Sequence, residues 1–404
     1  MSESWHSFLE QSKRKVADAK RTRQRRPLDL AGLIDFGSND YLGLRGHPEV
    51  LAALHRATKQ SSHSQTCQRQ TSQLQSSPDA QPSPTPPVRW GAGASPVLSG
   101  YTTHHALLEE SLAAFSATDA ALVFSSGFGC HSGSVACLAG SEDLILSDRL
   151  NHASLIDGCR LSRATTVIYP HGDAGFVRQY LQQHRHQFAK VLLLSESIFS
   201  MDGDAAPLVD LVELAQRYDA GLVVDEAHAV GVYGPRGGGL LEELDLQSHV
   251  LAKLGTLSKA LGGVGGYVAG DQDLIAYLVN HCRSYLFSTA SPGPSLVAAH
   301  RALQLLVDMP DQRQSLRQRS TELRQQLRRI GLDVPEGNSP IVPVIVGTEA
   351  RALELGGQLW ERGIYVPAIR PPTVPDGTCR LRISLSTSHT TEQIERLVSA
   401  LKEC

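Results

Sequence analysis

Apolar positions change their period several times along the chain. ALVFSS (Ala121 to Ser126), KVLLLSES (Lys190 to Ser197) and GLVVDEAH (Gly221 to His228) are short, nearly continuous apolar runs that end in polar residues. Runs of this length between polar or glycine-rich boundaries read as buried strands. HVLAKLGTLSK (His249 to Lys259) and GYVAG (Gly266 to Gly270) add two more. Between them PLVDLVELAQRYDAG sets Leu208, Leu211, Val212 and Ala215 on one helical face. Strands separated by helical patterns predict βαβ units, an α/β fold and a mostly parallel sheet, with ligands beyond the carboxyl ends of the strands.

The flanks follow other rules. Ser4 to Arg23 predicts a polar helix, and Leu33 to Leu44 a strand with a turn. Gln60 to Pro87 is almost entirely Ser, Gln, Thr and Pro. Such a segment buries too little apolar surface to offset its ordering entropy, so a disordered surface insertion is expected. From Asp311 the pattern predicts a helix (Asp311 to Ile330), a strand (Ile341 to Gly347), a helix (Ala352 to Gly363), a strand (Cys379 to Ser386) and a final helix. Thr390 with Gln393 has the spacing of a capping box at that last helix. The expected division is an N-terminal segment 1–46, a large domain 47–308 carrying the 60–87 insertion, and a smaller α+β domain 309–404.

Composition narrows the classes. The 404 residues are 41 % apolar and 20 % charged, with a formal net charge of −3, which fits a soluble globular protein and gives no reason for a nucleic-acid or membrane partner. The basic cluster Lys20 to Arg26 is short and reads as a solvated face. No run reaches the roughly 18–20 apolar residues of a membrane span. The polar start lacks the apolar stretch of a signal peptide. Seven cysteines, an odd number without a CxxC pair, argue against a disulfide framework or a metal site and for the cytoplasm. Cys130, Cys137 and Cys159 read as small buried hydrophobes.

Four segments at predicted strand ends carry the chemistry. SSGFGCHSG (Ser125 to Gly133) places glycines where a helix N-terminus can hold a phosphate. DRLNHASL (Asp148 to Leu155) puts His152 in a turn. VVDEAHAVG (Val223 to Gly231) ends an apolar run on Asp225, a carboxylate that needs a partner if buried. DEAH also spells a helicase motif, but the chain has no GK dipeptide for a nucleotide loop and no basic track. TLSKALGG (Thr256 to Gly263) holds Lys259 among small residues, in a chain with eight lysines against thirty arginines. A compact amine that can lose its proton suits a covalent nucleophile, which Arg cannot be.

These four segments, in this order, resemble the fold-type I pyridoxal-phosphate enzymes. SNDYLGL, LSGYTTHHALLE, SSGFGCHSG, DRLNHASLIDG, ESIFSMDGDAAPL, VVDEAHAVGVYG, TLSKALGGVGG, YLFSTASPG and AIRPPTVPDGTCRLRISLSTSHT together resemble the α-oxoamine synthase family. The resemblance implies a fold-type I transferase with a seven-stranded, mostly parallel sheet and pyridoxal 5′-phosphate tethered to Lys259. It implies Asp225 at the pyridine nitrogen, His228 and Ser200 near the ring hydroxyl, and His152 stacked on the ring. Gly127, Phe128 and Thr256 would lie near the phosphate end, with Thr289 reaching the phosphate of a second subunit in a shared-site homodimer. Arg382 would grip an amino-acid carboxylate through a bidentate pair, with Asn39 as a weaker candidate. Thr373 and an N-terminal arginine, Arg21 or by another anchoring Arg23, would contact an acyl substrate. The RPPTVP form points to the branch that condenses L-alanine with a pimeloyl thioester, on CoA or an acyl carrier protein, in biotin biosynthesis; the alternative is glycine with acetyl-CoA. In this family's terms, WGAGASPVLSGY is a reduced glycine-rich stretch with Pro96 where flexible residues are usual.

Overall fold

The protein is described by a computed structural model covering residues 2–23, 25, 32–63 and 88–404. It divides into two compact units. One comprises Leu42–Phe199 and Ala205–Pro310; the other comprises Met1–Tyr41, Ser200–Asp204 and Asp311–Cys404.

The larger unit is built on seven strands: β1 (Ala120–Phe124), β2 (Leu144–Asp148), β3 (Thr165–Tyr169), β4 (Val191–Glu196), β5 (Gly221–Asp225), β6 (Ala252–Thr256) and β7 (Gly266–Gly270). Their order across the sheet is β1-β7-β6-β5-β4-β2-β3. The pairs β3–β2, β2–β4, β4–β5 and β5–β6 are parallel, whereas β7 runs antiparallel to both β6 and β1. Six strands therefore share one direction and open their carboxyl ends on the same edge, where β7 begins. Two strands, β2 and β3, are additions to those the apolar pattern predicts. LILSD is short and lies against polar flanks, while TTVIY is an edge strand with only Tyr169 buried. An edge strand has one face and one side in water, so its apolar signal is weak.

Ile145, Leu194, Val223, Leu254 and Val268 from the sheet pack with Cys130, Val135 and Leu155 from the covering helices. Cys130 and Cys159 are buried and Cys137 is partly buried against this core; none of the six described cysteines is in a disulfide. The helix Gly127–Leu138 crosses Ala153–Leu161 so closely that a Cβ on Gly158 would fall 2.7 Å from Val135 Cβ. That contact aims the start of the Gly127 helix at the carboxyl edge of the sheet. On Leu208–Arg217, the expected Leu208, Leu211, Val212 and Ala215 are buried, with Leu214 beside them.

The smaller unit holds a three-stranded antiparallel sheet in the order Ala368–Ile369, Cys379–Ser384, Ile341–Gly347. Helices Pro310–Arg329, Glu349–Glu361 and Thr391–Lys402 accompany it, the last with the expected Thr390–Gln393 capping box. The N-terminal segment groups here, not by itself. Ile34–Asp35 pairs in parallel with Ile364–Tyr365, and Ser384 N–H donates to the Phe36 carbonyl (2.7 Å).

Three local expectations change. The first helix spans Glu3–Asp18 and stops before the basic cluster, because Lys20 turns left-handed (φ +53°). In Leu33 to Leu44 only Ile34–Asp35 is strand; the rest is turn. The helix Pro48–His63 runs into the expected insertion, whose remainder, 64–87, lies outside the described residues. Among the described residues no helix is long and apolar enough to cross a membrane, and no cluster could hold a metal ion.

Candidate active site

A cavity of about 390 Å³ opens at the carboxyl edge of the large sheet. Its walls come from the ends of β1 (Gly127, Phe128), β2 (His152), β5 (Asp225) and β6 (Thr256, Lys259), with Gly265 at the start of β7. Six of the thirteen predicted site residues meet here because parallel strands deliver their ends to one edge: Gly127, Phe128, His152, Asp225, Thr256 and Lys259. Phe128 lies at the rim, its ring 6.4 Å from that of His152.

Close backbone approach shapes the floor. A Cβ on Gly127 would fall 3.1 Å from Thr256 Oγ1, and one on Gly265, whose φ is +123°, would fall 2.7 Å from the Phe124 carbonyl. Only glycine lets these three chain segments converge. Ser126 caps the Gly127–Leu138 helix by accepting from Gly129 N–H (3.3 Å), leaving the first turn facing the cavity. Beside it Thr256 Oγ1 and Ser258 Oγ lie 2.8 Å apart. The Thr256 hydroxyl donates to the Gly265 carbonyl (3.0 Å), and the helix N–H groups with the Ser258 hydroxyl beside them make an anion cradle.

Asp225 is 3 % exposed. Its Oδ1 accepts from Ala227 N–H (2.9 Å), and its Oδ2 lies 2.9 Å from His131 Nδ1. Burial would push this carboxyl up, but His131, Lys259 and the Ala227 N–H prevail and hold it well below the usual carboxylate range. The partner that a buried Asp225 requires is therefore His131, a residue of SSGFGCHSG to which the linear pattern gives no role. The available signal was its place four residues past Gly127, one helical turn into the cup helix. His152 caps its own helix, with Nδ1 2.7 Å from Ser154 Oγ. Burial lowers its imidazole from the ordinary histidine value, against the opposing pull of Asp225.

The donor set fits pyridoxal phosphate: an amine for its aldehyde, a buried anion for its pyridine nitrogen, a flat ring to lie on and an anion cradle. Residues 31–401 match the aminotransferase class I and II family. The chain belongs to that family. Within this pyridoxal-phosphate family its likeness is to the α-oxoamine synthases. It is 43 % identical over 371 residues to the 8-amino-7-oxononanoate synthase of Anaeromyxobacter dehalogenans, covering 91 % of this chain and 85 % of that protein. Serine palmitoyltransferase of Sphingomonas wittichii superposes with a TM-score of 0.86 at 29 % identity, over 99 % of this chain and 97 % of that one. A second serine palmitoyltransferase structure, solved with pyridoxal phosphate, gives 0.81 at 28 %, over 92 % and 87 %. The seven-stranded sheet is that of a fold-type I transferase.

The other predicted residues of this α-oxoamine synthase lie elsewhere. His228 is buried just after β5, outside the cavity lining, and Thr289 is exposed after the short helix Arg283–Leu286. In the smaller unit, Arg382 is buried. Its Nε donates to the Ser200 carbonyl (2.7 Å), and its Nη1 donates to Asn39 Oδ1 (3.0 Å) and Ser384 Oγ (2.7 Å). Nη2 is buried without a partner among the described residues. The bidentate fork expected of Arg382 is thus half committed internally. Asn39 Oδ1 also takes Ser384 Oγ and Tyr41 Oη, so its amide nitrogen points away from Arg382. Arg21 is engaged with Glu349 (2.9 Å) and Asp376 (2.5 Å). Arg23, the other candidate, is the one beside Thr373, with Nη2 3.5 Å from its hydroxyl.

Proposed function

We propose that this enzyme condenses L-alanine with a pimeloyl thioester, releasing the carrier thiol and carbon dioxide and yielding 8-amino-7-oxononanoate. One observation carries the choice of substrates: 43 % identity across 91 % of the chain to a protein of that name. The cavity supports the reaction class. When bound, pyridoxal phosphate supplies an electron sink for the pair left as a proton leaves the amino acid's α-carbon.

The chain's own residues supply the rest. Lys259 anchors the cofactor and then, as a free amine, takes the α-proton. Asp225, kept anionic by His131, holds a proton on the pyridine nitrogen. His152, in the cavity wall, would offer its imidazole to the face of the ring. The first-turn N–H groups at Gly127 and the Ser258 hydroxyl hold the phosphate, with Thr256 beside them, Phe128 at the rim and Thr289 supplied by a second copy. His228 and Ser200 serve the ring hydroxyl. Arg382 Nη2 receives the substrate carboxylate, its other two nitrogens being held by Ser200, Asn39 and Ser384. Thr373 contacts the acyl substrate together with Arg23, since the Arg21 guanidinium is spent on two carboxylates.

The homodimer reading is supported by apolar side chains left in water. Trp90, Leu98 and Phe287 are exposed, on segments joined by a hydrogen bond from Ala290 N–H to the Ala94 carbonyl (3.0 Å). A surface of this kind calls for a partner.

Mass spectrometry of the product formed from L-alanine and pimeloyl-CoA tests the proposal. A mass matching 8-amino-7-oxononanoate is expected. Thiol release across alanine, glycine and serine with pimeloyl-, acetyl- and palmitoyl-CoA is the control. Preference for glycine with acetyl-CoA, or serine with palmitoyl-CoA, would overturn the substrate assignment and leave the reaction class standing.

A further inference from the structure

The segment Ser200–Asp204 belongs with the smaller unit and is fastened to it residue by residue. The Ser200 carbonyl accepts from Arg382 Nε (2.7 Å). The Met201 carbonyl accepts from Arg380 Nη1 (3.3 Å), and the same nitrogen pairs with the Asp202 carboxylate. The Gly203 carbonyl accepts from Ser339 Oγ (2.7 Å), whose own carbonyl takes Arg324 Nη1 (2.9 Å). Gly203 has φ +72°, and a Cβ there would fall 2.5 Å from the Ile341 carbonyl, so the segment lies directly against the neighbouring strand. Arg380 and Arg382 are two apart on Cys379–Ser384 and leave the same face of that strand.

Arg382 can present Nη2 in one direction only while Nε and Nη1 are held elsewhere. The acceptor for Nε is a backbone carbonyl, and its position depends on the path of residues 200–203. Arg380, 4 % exposed, holds the middle of that path through one carbonyl and one carboxylate. We propose that Arg380, paired with Asp202, is a positioning residue that sets the Ser200 carbonyl and thereby aims Arg382 Nη2 at the amino-acid carboxylate. This rests on the reading of Arg382 as the carboxylate anchor.

Spectral titration of the cofactor-loaded enzyme with L-alanine and with ethylamine, its carboxylate-free analogue, separates the two. Arg382→Gln should weaken alanine binding by about ten- to a hundred-fold and leave ethylamine unchanged. Arg380→Gln and Asp202→Asn should weaken alanine in the same selective way, by roughly ten-fold, with the KM for the acyl thioester unmoved. Arg380→Lys should recover part of the loss by keeping the charge. Circular dichroism establishes folding; if Arg380→Gln does not fold, Asp202→Asn carries the test. Unchanged alanine binding in Arg382→Gln defeats the carboxylate anchor, and this inference with it. A selective Arg382→Gln beside folded Arg380→Gln and Asp202→Asn proteins that bind alanine normally defeats the positioning role alone. Equal weakening of alanine and ethylamine does the same, since it marks general damage.

Discussion

Asp225 illustrates how one side chain's environment decides its use. Taken into the core alone it would be a neutral acid; beside His131 and Lys259 it stays anionic. Replacing His131 with Phe removes the nearest compensating group from a buried carboxylate, a loss of about 1–3 kcal/mol where a buried partner goes missing. The expected outcome is weaker cofactor retention on dialysis and a shifted visible absorbance, while Asp225→Asn should abolish turnover. Lys259→Ala should lose both turnover and covalent labelling when the loaded enzyme is reduced with borohydride and its peptides are mapped. A label found on another peptide would contradict the assignment of Lys259.

At the scale of elements, the site depends on how helices and strands are held to one another. Glu109, buried on the helix Thr103–Ser116, accepts from Val123 N–H of β1 (2.9 Å) and from Tyr101 Oη (2.7 Å). Burial outweighs those bonds and pushes its carboxyl up from 4.5 to about 7. A raised acid pKa means the folded state binds the extra proton. The stability it contributes is complete below about 4.5 and is lost as pH rises through about 7. Glu109→Gln should therefore match the wild type near pH 4.5 and be more stable by about 1–3 kcal/mol at pH 8, as read by chemical denaturation. Gly265→Ala is expected to act in the opposite sense. With φ at +123° and the Phe124 carbonyl 2.7 Å from the new Cβ, it should cost about 1–3 kcal/mol and open the floor of the cofactor cavity.

For the whole molecule the testable matter is association. Trp90, Leu98 and Phe287 are 87 %, 79 % and 71 % exposed in the single chain, a large apolar area for a protein in water. Leu98→Asp with Phe287→Asp should shift sedimentation toward the monomer and lower cofactor affinity together, because Thr289 is proposed to reach across. A variant that sediments as the wild type does, with unaltered affinity, would overturn this reading of the exposed face.

The sequence alone determined the nature of the chain: a strand–helix alternation that must form a mostly parallel sheet, with a lysine, an acid and a glycine turn each at the end of such a strand and a histidine in a turn. These features were legible because period and strand-end position are local properties of a polypeptide. The start of GYVAG was legible too, but not its reversed direction, since pairing depends on neighbours distant in the chain. Only tertiary structure decided that His131 is the partner of Asp225 and that residues 200–204 belong with the smaller unit. It alone committed Arg382 to Ser200, Asn39 and Ser384, and put Arg23, not Arg21, beside Thr373. Those outcomes depend on which groups burial brings within about 3 Å of one another, and hydrogen-bond energies fall away over less than the length of one residue. A linear pattern can name the groups that must find partners, but packing alone selects them.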